Sequence, residues 1–586
     1  MQFYCESLVE YKRLKTREVK VGNIFIGSGN PIRVQTMTTT DTMDTEATVE
    51  QTIRCIEAGA ELVRITAPSK NEAENLKNIR DLLNKKGYHI PLIADIHFTP
   101  NAAEIAAGII EKVRVNPGNY VDKKKFEQIE YTDEEYAEEI DRIRARFTPL
   151  IIICKKYGTA MRIGTNHGSL SDRIMSRYGD TAKGMVESAM EFLRIARSEN
   201  FHEIILSMKS SNPLVMVQAY RLLVHQMNEE FKECYPLHLG VTEAGDGEDG
   251  RIKSAIGIGS LLEDGLGDTI RVSLTEDPEF EIPVCLDLVK RYSQPSLNNG
   301  KAQTIPFAYL PYSPFEYKRR TTDNILNLGH KHVPVVIADF MVADSISRES
   351  LKSIGYTYNT ESDKWNIADA AADYIYTGKK IIDFQLPGTL QIVIDFSEWQ
   401  KNSGDKGYPL FTEAEFIKES ERALLNFIAV DVDNVSKEFI DKIKREQSIV
   451  LCIYSSEKNS MQILRNFIVK LMQDQINCPV VTAVESMHKS VDEQLIHFST
   501  IAGGLFLDGM GDGIWLINDP SKMDVSIVSG RTYLPAEDNH QFLNNTSFSI
   551  LQATRTRISK TEYISCPSCG RTLFDLQETT AKIRKV

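Results

Sequence analysis

Five cationic residues stand at the ends of five separate segments that have the pattern of β-strands. They are Arg64, Arg114, Arg162, Lys209 and Arg271. Strand ends do not ordinarily collect charge of one sign, because like charges repel and their desolvation is costly. A polyanion would offset such a cluster, and the bidentate geometry of arginine suits a phosphate or a diphosphate best. The alternative is that each cation is a solvated strand end paired with a nearby carboxylate.

Acidic and neutral polar residues occupy the same strand ends. They are Asp95, His97, Asn116, Asn166, Glu243 and Ser273. The carboxylates of Asp95 and Glu243 could act as general acids or bases in a reaction at this place. The alternative for both is a structural salt bridge inside the cation cluster.

The strands that carry these residues alternate with helical patterns. The predicted strands are 32–38, 61–66, 90–97, 112–116, 160–166, 203–209, 237–243 and 268–274, and helical periodicity marks 45–58, 100–109, 182–198 and 213–229. Eight strand–helix units in about 245 residues predict an α/β TIM barrel, in which eight loops converge at the carboxyl ends of the strands. An open doubly wound sheet is the competing fold, but no GxGxxG follows the first strand.

Composition restricts the remaining classes of protein. The chain has 586 residues, with 81 acidic and 68 basic side chains and a net charge of −13. This balance disfavours a general nucleic-acid-binding surface but leaves room for a local cationic pocket. No apolar run approaches the ~20 residues that a membrane span needs, and the N-terminus lacks the apolar region of a signal peptide. Nine cysteines, mostly single, favour a reducing compartment. We therefore predict a cytoplasmic protein without a nucleic-acid or membrane partner.

Two of the cysteines, Cys566 and Cys569, form a Cys-Pro-Ser-Cys pair near the end of the chain. Two thiolates at this spacing can bind one side of an iron–sulfur cluster or one zinc ion, and the sequence does not complete either site. A zinc-ribbon-tagged TIM-barrel aldolase or isomerase for a sugar phosphate therefore stays open, with Lys209 as the Schiff-base lysine. A non-catalytic scaffold built from binding modules is a third hypothesis.

Five motifs on successive strand ends resemble a known family. They are ADIHF at 94–98, RVNPGN at 114–119, RIGTN at 162–166, VTEAG at 241–245 and DGLGDTIRVS at 264–273. Together they resemble the 4-hydroxy-3-methylbut-2-enyl diphosphate synthase family of the methylerythritol phosphate pathway, in its long form with an inserted domain. The resemblance runs from residue 33 to about residue 283 and resumes at 550.

The resemblance implies reductive ring opening and dehydration of 2-C-methyl-D-erythritol 2,4-cyclodiphosphate to 4-hydroxy-3-methylbut-2-enyl diphosphate. It implies that the five cations hold the diphosphate and that His97, Asn116, Asn166 and Ser273 add neutral hydrogen bonds. Asp95 would orient the substrate or its cationic neighbours. Glu243 would donate the proton to the departing hydroxyl.

The same resemblance implies one 4Fe–4S cluster per chain, with Cys566, Cys569, a later cysteine and a glutamate as ligands. No cysteine follows Cys569 before Val586, so we expect the third cysteine and the glutamate beyond residue 586. The segment 546–586 is then the incomplete start of an iron–sulfur domain. Ferredoxin or flavodoxin would donate the electrons, and the chain could be a homodimer or a monomer.

Between the catalytic barrel (1–293) and this segment, residues 294–545 repeat the strand–helix alternation. The predicted strands are 333–340, 390–396, 427–433, 449–455, 478–484 and 504–517. The length predicts a second barrel-like α/β domain, and its short motifs echo those of the first barrel. We interpret it as a duplicate, with chance similarity of short motifs as the alternative.

The copy lacks the charges of the first set of strand ends. Tyr454 stands where the first barrel has Lys209, Ala483 replaces Glu243, Trp515 replaces Arg271 and Met341 replaces His97, while Asp339 corresponds to Asp95. This pattern predicts a barrel without a diphosphate site. Its predicted role is that of a spacer that lets the iron–sulfur domain reach the first barrel of the same chain.

Overall fold

The computed structural model describes residues 4–8, 10–96, 98–122, 130–293, 310–402, 407–523, 538–562, 564–565, 569 and 576–584. Within these ranges the chain folds into two eight-stranded parallel barrels in succession. Among the helices of these residues, none has the length and apolar character needed to cross a membrane.

The first barrel follows a short antiparallel hairpin. The hairpin is β1 (Val19–Val21) and β2 (Ile24–Ile26), and the barrel strands are β3 (Arg33–Met37), β4 (Leu62–Thr66), β5 (Leu92–Asp95), β6 (Lys112–Val115), β7 (Ala160–Asn166), β8 (Ile204–Lys209), β9 (His238–Leu239) and β10 (Thr269–Ile270). The sheet runs in the order β8-β7-β6-β5-β4-β3-β10-β9. A parallel bridge from Leu206 to Leu237 brings its two ends together. Each of the eight predicted strands is present, so the predicted TIM barrel is confirmed.

The helices of the first barrel lie between these strands. They are α1 (Thr45–Glu57), α2 (Lys70–Lys85), α3 (Pro100–Ala107), α4 (Pro117–Tyr120), α5 (Asp133–Tyr157), α6 (Asp172–Tyr178), α7 (Ala182–Ser198), α8 (Pro213–Phe231), α9 (Gly247–Ser254), a π-helical turn (Ala255–Gly259), α10 (Ser260–Glu263), α11 (Pro278–Lys290) and a 3-10 turn (Arg291–Ser293). Side-chain caps fix several starts: Ser69 with Glu72 forms a capping box at α2, and Asn212 caps α8 directly before a proline.

The hairpin β1–β2 closes the amino-terminal end of the first barrel, which the sequence did not predict. Val19, Val21 and Ile26 pack in one buried cluster with the first inward-facing residues of the strands, which are Leu62, Ile93, Ala160 and Ile205. This apolar floor excludes water from below. The opposite end, where the carboxyl ends of the strands lie, is not covered by this hairpin.

The second barrel is closed. Its strands are β11 (Val335–Asp339), β14 (Tyr374–Tyr376), β15 (Gln391–Asp395), β16 (Tyr408–Thr412), β17 (Asn426–Asp431), β18 (Ile449–Tyr454), β19 (Val480–Ser486) and β20 (Gly513–Asn518), and a hairpin of β12 (Tyr356–Asn359) and β13 (Lys364–Ile367) is inserted after β11. The predicted strand 504–517 is wrong in its first part, because residues 504–507 end a helix. Strands β14 and β16 were missed.

The helices from the second barrel onward are short or apolar. They are α12 (Phe396–Lys401), α13 (Glu413–Lys418), α14 (Lys437–Ile443), α15 (Ser460–Gln473), α16 (Val491–Leu507), α17 (Asn539–Ala553) and α18 (Leu576–Arg584), with 3-10 turns at Ser350–Ile354 and Pro520–Lys522. Helix α17 packs on the second barrel, where the His540 ring stacks on Phe340 at 3.9 Å and Asn544 Nδ2 donates to Ala370 O at 2.9 Å. The predicted boundary at 545–546 falls inside α17, and the three-part division of the chain stays a prediction.

The two barrels share an uncommon local structure around equivalent aspartates. Asp268 accepts a hydrogen bond from the backbone N–H of Leu237 at 3.0 Å and pairs with Arg13 at 2.8 Å. In the second barrel, Asp512 accepts from the N–H of Val480 at 3.0 Å and pairs with Arg319 at 2.8 Å. Repetition of the same contacts at the same place in both barrels supports duplication over chance similarity.

The barrels contact one another through equivalent surfaces. Arg221 and Arg465 both pair with Asp264 and Asp508 in a buried network of four charges. Two close helix contacts, Gly259 against Thr500 and Gly503 against Ile256, are also exchanged between the barrels. Residue 500 of the second barrel corresponds to residue 256 of the first, and residue 503 corresponds to residue 259. Each contact is therefore repeated with the two barrels exchanged, as in an interface with two-fold symmetry.

Candidate active site

The five predicted cations converge at the open end of the first barrel. Arg64, Arg114 and Arg162 lie within β4, β6 and β7, Lys209 ends β8, and Arg271 directly follows β10. Each of them is at most 7% exposed. The strand register places Asp95 opposite Arg114, and Arg114 opposite Arg162. The prediction that these residues face one mouth is therefore consistent with their positions.

Two acceptors lie among the guanidinium groups. Asp95 Oδ1 accepts from Arg114 Nη1 at 3.1 Å, and Asp95 Oδ2 lies 3.6 Å from Arg64 Nε. The sulfur of Met37 lies 3.1 Å from Arg64 Nε and 3.5 Å from Arg271 Nη1. Asp95 thus neutralises one charge and orients two arginines, while Met37 is a weak acceptor that separates two like charges.

Arg162 and Lys209 lie among the same guanidinium groups. Arg162 Nε and Nη1 have no hydrogen-bond partner among the described residues, and the charges that act most strongly on Lys209 are arginines. Burial, followed by the neighbouring arginines, lowers the pKa of Lys209 and of Arg162 well below the ordinary values. Burial also lowers the pKa of Arg64 to about 10, against the opposing effect of Asp95. A buried group of this kind is stable only with an anion, so the mouth has the electrostatics of a polyanion site.

Two glycines make the space that the cationic side chains occupy. A Cβ at Gly164 would stand 2.8 Å from Arg114 Nε and 3.4 Å from Arg162 Nε. A Cβ at Gly240 would stand 2.6 Å from Lys209 Nζ. The distances of 2.8 Å to Arg114 Nε and 2.6 Å to Lys209 Nζ are shorter than side chains tolerate, so a larger residue at either glycine would displace a cation.

The predicted neutral donors surround the same mouth. Asn116 precedes α4 and is 1% exposed, Asn166 ends β7 opposite Lys209, and Ser273 follows β10 and is 3% exposed. The Oδ1 atoms of both asparagines have no partner among the described residues. They are therefore available to a ligand. His97 lies outside the described residues.

Glu243 lies in a strained loop after β9. Its φ is +54°, which is uncommon for a residue with a side chain and typical of functional sites. The loop is held by hydrogen bonds from Thr242 N to Ser210 O and from Thr275 N to Gly245 O, both at 3.1 Å. Glu243 is half-buried. A fixed, partly accessible carboxyl at the rim can exchange a proton with a ligand in the mouth.

The C-terminal segment reaches this rim. Ser565 Oγ lies 2.6 Å from Thr275 Oγ1, and the segment before it is held by ion pairs from Lys253 to Glu562 and from Lys560 to Asp249, at 2.6 and 2.8 Å. Cys566 lies outside the described residues, and Cys569 is half-buried. The described residues contain no group of three or more His, Cys, Asp or Glu side chains able to hold a metal ion.

Several residues at this site were missed from the sequence. Lys112 and His238 lie inside the barrel, Met37 contacts two arginines, and Glu281 Oε2 lies 3.6 Å from Arg271 Nε. Barrel interiors are ordinarily filled by Val, Ile and Leu. A lysine and a histidine at inward positions of predicted strands were the available signal.

Among its described residues, the second barrel has no comparable group of cations at its mouth. Tyr454 ends β18 and Ala483 lies in β19, while Trp515 in β20 donates its indole N–H to Asp339 Oδ2 at 3.0 Å. Burial raises the pKa of Asp339. An indole thus takes the place of a guanidinium beside the equivalent aspartate, which supports the predicted absence of a diphosphate site. Met341 is 48% exposed.

Comparison with known proteins gives concordant results. The GcpE TIM-barrel domain matches residues 16–286. The 4-hydroxy-3-methylbut-2-en-1-yl diphosphate synthase (flavodoxin) of Parabacteroides distasonis is 47% identical, over 98% of this chain and 87% of its own. The corresponding flavodoxin-dependent protein of Bacteroides thetaiotaomicron is 45% identical, over 98% of this chain and 88% of its own. The chloroplastic, ferredoxin-dependent protein of Arabidopsis thaliana is 42% identical, over 100% of this chain and 80% of its own.

These similarities agree with the motifs on the strand ends of the first barrel and with the two-barrel fold in indicating one family. The chain belongs to the 4-hydroxy-3-methylbut-2-en-1-yl diphosphate synthase family, oxidoreductases of isoprenoid biosynthesis, as the resemblance predicted.

Proposed function

We propose that the first barrel converts 2-C-methyl-D-erythritol 2,4-cyclodiphosphate to 4-hydroxy-3-methylbut-2-enyl diphosphate. The observation that carries this proposal is the excess of buried cations at the mouth, with Arg162 Nε and Nη1 lacking a hydrogen-bond partner among the described residues. A diphosphate supplies the compensating charge and the acceptors that guanidinium groups need.

Each group at the mouth then has a distinct role. The diphosphate is held by the five cations, which are Arg64, Arg114, Arg162, Lys209 and Arg271. Asn116, Asn166, Ser273 and His97 hydrogen-bond to the substrate's neutral oxygens. Asp95 acts through Arg64 and Arg114, because it contacts both guanidinium groups and fixes their orientation.

The reaction breaks the carbon–oxygen bond that closes the substrate ring and expels one hydroxyl as water. It consumes two electrons and one proton. A 4Fe–4S cluster held in part by Cys566 and Cys569 would supply the electrons. Glu243 donates the proton to the departing hydroxyl, since it is the half-buried carboxyl of the loop that closes the mouth.

The electron donor is a flavodoxin or a ferredoxin, the two donors that the relatives' names give. The chain acts as a monomer or a homodimer, and the second barrel holds the C-terminal segment over the first mouth. The contact between Thr275 and Ser565 supports this spacer role.

Turnover of the cyclic diphosphate by the complete gene product with reduced flavodoxin tests the proposal. We expect Arg162→Met to abolish binding of the substrate, and the surface variant Arg142→Met to bind as the wild type does. A brown, air-sensitive protein is expected. Failure of the wild type to bind the cyclic diphosphate would contradict the proposed substrate.

The lowered pKa of Lys209 also suits the Schiff-base lysine of a sugar-phosphate aldolase. Borohydride trapping separates the two functions. Reduction of a Schiff base by borohydride would leave the sugar phosphate covalently attached to Lys209. Such an adduct, in a colourless zinc-containing protein, would establish the aldolase instead. No covalent adduct is expected.

A further inference from the structure

Beneath the cationic mouth, the first barrel holds a second layer of polar side chains. Gln35, Lys112 and His238 come from three different strands and lie beneath Arg162 of the mouth, and each of these four residues is at most 1% exposed. Atoms of all four have no hydrogen-bond partner among the described residues: both amide atoms of Gln35, Lys112 Nζ, Arg162 Nε and Nη1, and His238 Nε2. Buried polar groups in native proteins are rarely left in this condition.

Lys112 lies between the apolar floor and the mouth. It pairs in register with Ile93 and Ala160, which belong to the floor. Two residues further along β6, Arg114 pairs with Asp95 and Arg162 at the mouth. Residues two apart on a strand point to the same side, so Lys112 lies directly below the diphosphate-binding layer.

The charged groups that act on Lys112 are all cations. Arg162 on β7 and Arg64 on β4 repel its ammonium form, and no described carboxylate pairs with it. Burial, followed by these two arginines, lowers the pKa of Lys112 well below its ordinary value. Burial without a partner and the two neighbouring guanidinium groups therefore disfavour the ammonium form of Lys112.

His238 is the other titratable group of this layer. Its Nδ1 lies 2.6 Å from Thr269 Oγ1, and it is surrounded by Lys209, Arg162, Lys112 and Arg64. Burial and these cations lower the pKa of His238. Burial and the surrounding cations therefore disfavour the charged forms of both groups in the free protein.

We propose that Lys112 is a positioning residue of the anion site, which takes up a proton from solvent when a diphosphate binds at the mouth. The bound dianion offsets the charges of Arg64 and Arg162, so the repulsion that disfavours the ammonium form of Lys112 is removed. The resulting ammonium adds a charge beneath the diphosphate without touching it. This inference rests on the proposed function only in requiring a diphosphate ligand.

Calorimetric titration of the full chain with inorganic pyrophosphate and with the cyclic diphosphate tests it. Repeating each titration at pH 7.5 in buffers of different ionisation enthalpy gives the number of protons taken up. We expect net uptake by the wild type, and a decrease of about one proton in Lys112→Met, since one titrating group is removed. The exposed-lysine control Lys437→Met should match the wild type.

Two further variants, at Lys112 and at His238, test whether the proton is taken up by Lys112. Lys112→Arg carries a permanent charge, so it should bind pyrophosphate yet take up about one proton fewer, and it replaces Lys112→Met if that variant does not fold. His238→Asn should leave the Lys112 proton in place. Uptake in Lys112→Met equal to that of the wild type, or no uptake by the wild type, would overturn the inference. Lys112-dependent uptake with pyrophosphate but no binding of the cyclic diphosphate would retain it and reject the proposed substrate. Failure of both anions to bind would reject both.

Discussion

Thr275 and Ser565 are 290 positions apart in the chain, and their hydroxyl oxygens lie 2.6 Å from one another. Thr275 is also the donor that holds the Glu243 loop, through its N–H to Gly245 O at 3.1 Å. The residue directly before Cys566 is therefore joined by hydrogen bonds to the loop that carries the proposed proton donor. The C-terminal segment reaches the first mouth of its own chain.

We predict that electron transfer occurs within one chain. Complete gene products carrying Glu243→Ala and Cys566→Ser are each expected to be inactive, and an equimolar mixture should be inactive too, because neither chain has both groups. Turnover of the mixture is measured with reduced flavodoxin. Recovery of activity would show that the segment works between chains, and two wild-type preparations mixed in the same way serve as the control.

Replacement of Glu243 by a residue that cannot donate a proton should slow the chemical step and leave the affinity for the substrate nearly unchanged. Glu243→Gln keeps the shape and loses the acid, so we expect kcat to fall by roughly 10²–10⁴-fold with little change in substrate Kd. The exposed Glu229→Gln on α8 is the matched control. Unchanged turnover in Glu243→Gln would remove Glu243 from the mechanism.

Gly164 is predicted to be required for the positions of two arginines. A methyl group there would collide with Arg114 Nε and crowd Arg162 Nε, at 2.8 and 3.4 Å. We expect Gly164→Ala to weaken diphosphate binding by roughly 10- to 100-fold, since displaced cations lose their bidentate contacts.

Gly388→Ala is the control for this substitution, because nothing lies within 4 Å of the added Cβ. Calorimetry with pyrophosphate measures both variants, and circular dichroism checks their folding. Wild-type affinity in a folded Gly164→Ala protein would show that these guanidinium positions do not limit binding.

The sequence predicted the first barrel and its charged mouth because both follow from local patterns. Alternating apolar strands and helical periodicity are visible in single segments. Charged residues at strand ends, such as Arg64 and Glu243, can be recognised from the sequence as candidate site residues. Lys112 and Met37 were missed because their importance depends on which strands neighbour one another. The hairpin β1–β2 was missed for a related reason, since its three-residue strands are identified only by the floor that they cover.

The pKa of Glu281 should make stability depend on pH. Burial raises it from 4.5 to about 7, against the effect of Arg271. Between these values the folded protein keeps a proton that the unfolded chain has lost, so Glu281 destabilises the fold progressively as pH rises through this window, by roughly 3 kcal/mol in total.

Glu281→Gln removes this contribution and retains an acceptor for the N–H of Leu274, which Glu281 Oε1 binds at 2.9 Å. We therefore expect the thermal midpoint of the wild type, relative to that of the variant, to fall between pH 5 and pH 8. Scanning calorimetry across this range measures the difference. A constant difference would mean that Glu281 keeps the same ionisation state throughout.

One diphosphate is expected to bind per chain, although the chain contains two barrels. At the second mouth Trp515 occupies the position of Arg271 and donates to Asp339, and Tyr454 occupies that of Lys209. Neither side chain carries charge, so two of the cations proposed to hold the diphosphate at the first mouth have no counterpart here. Titration of the full chain with the cyclic diphosphate should give a stoichiometry of one, and Arg162→Met should abolish it. A second equivalent that persists in Arg162→Met would place a site in the second barrel, and loss of that equivalent in Asp339→Asn would locate it at this mouth.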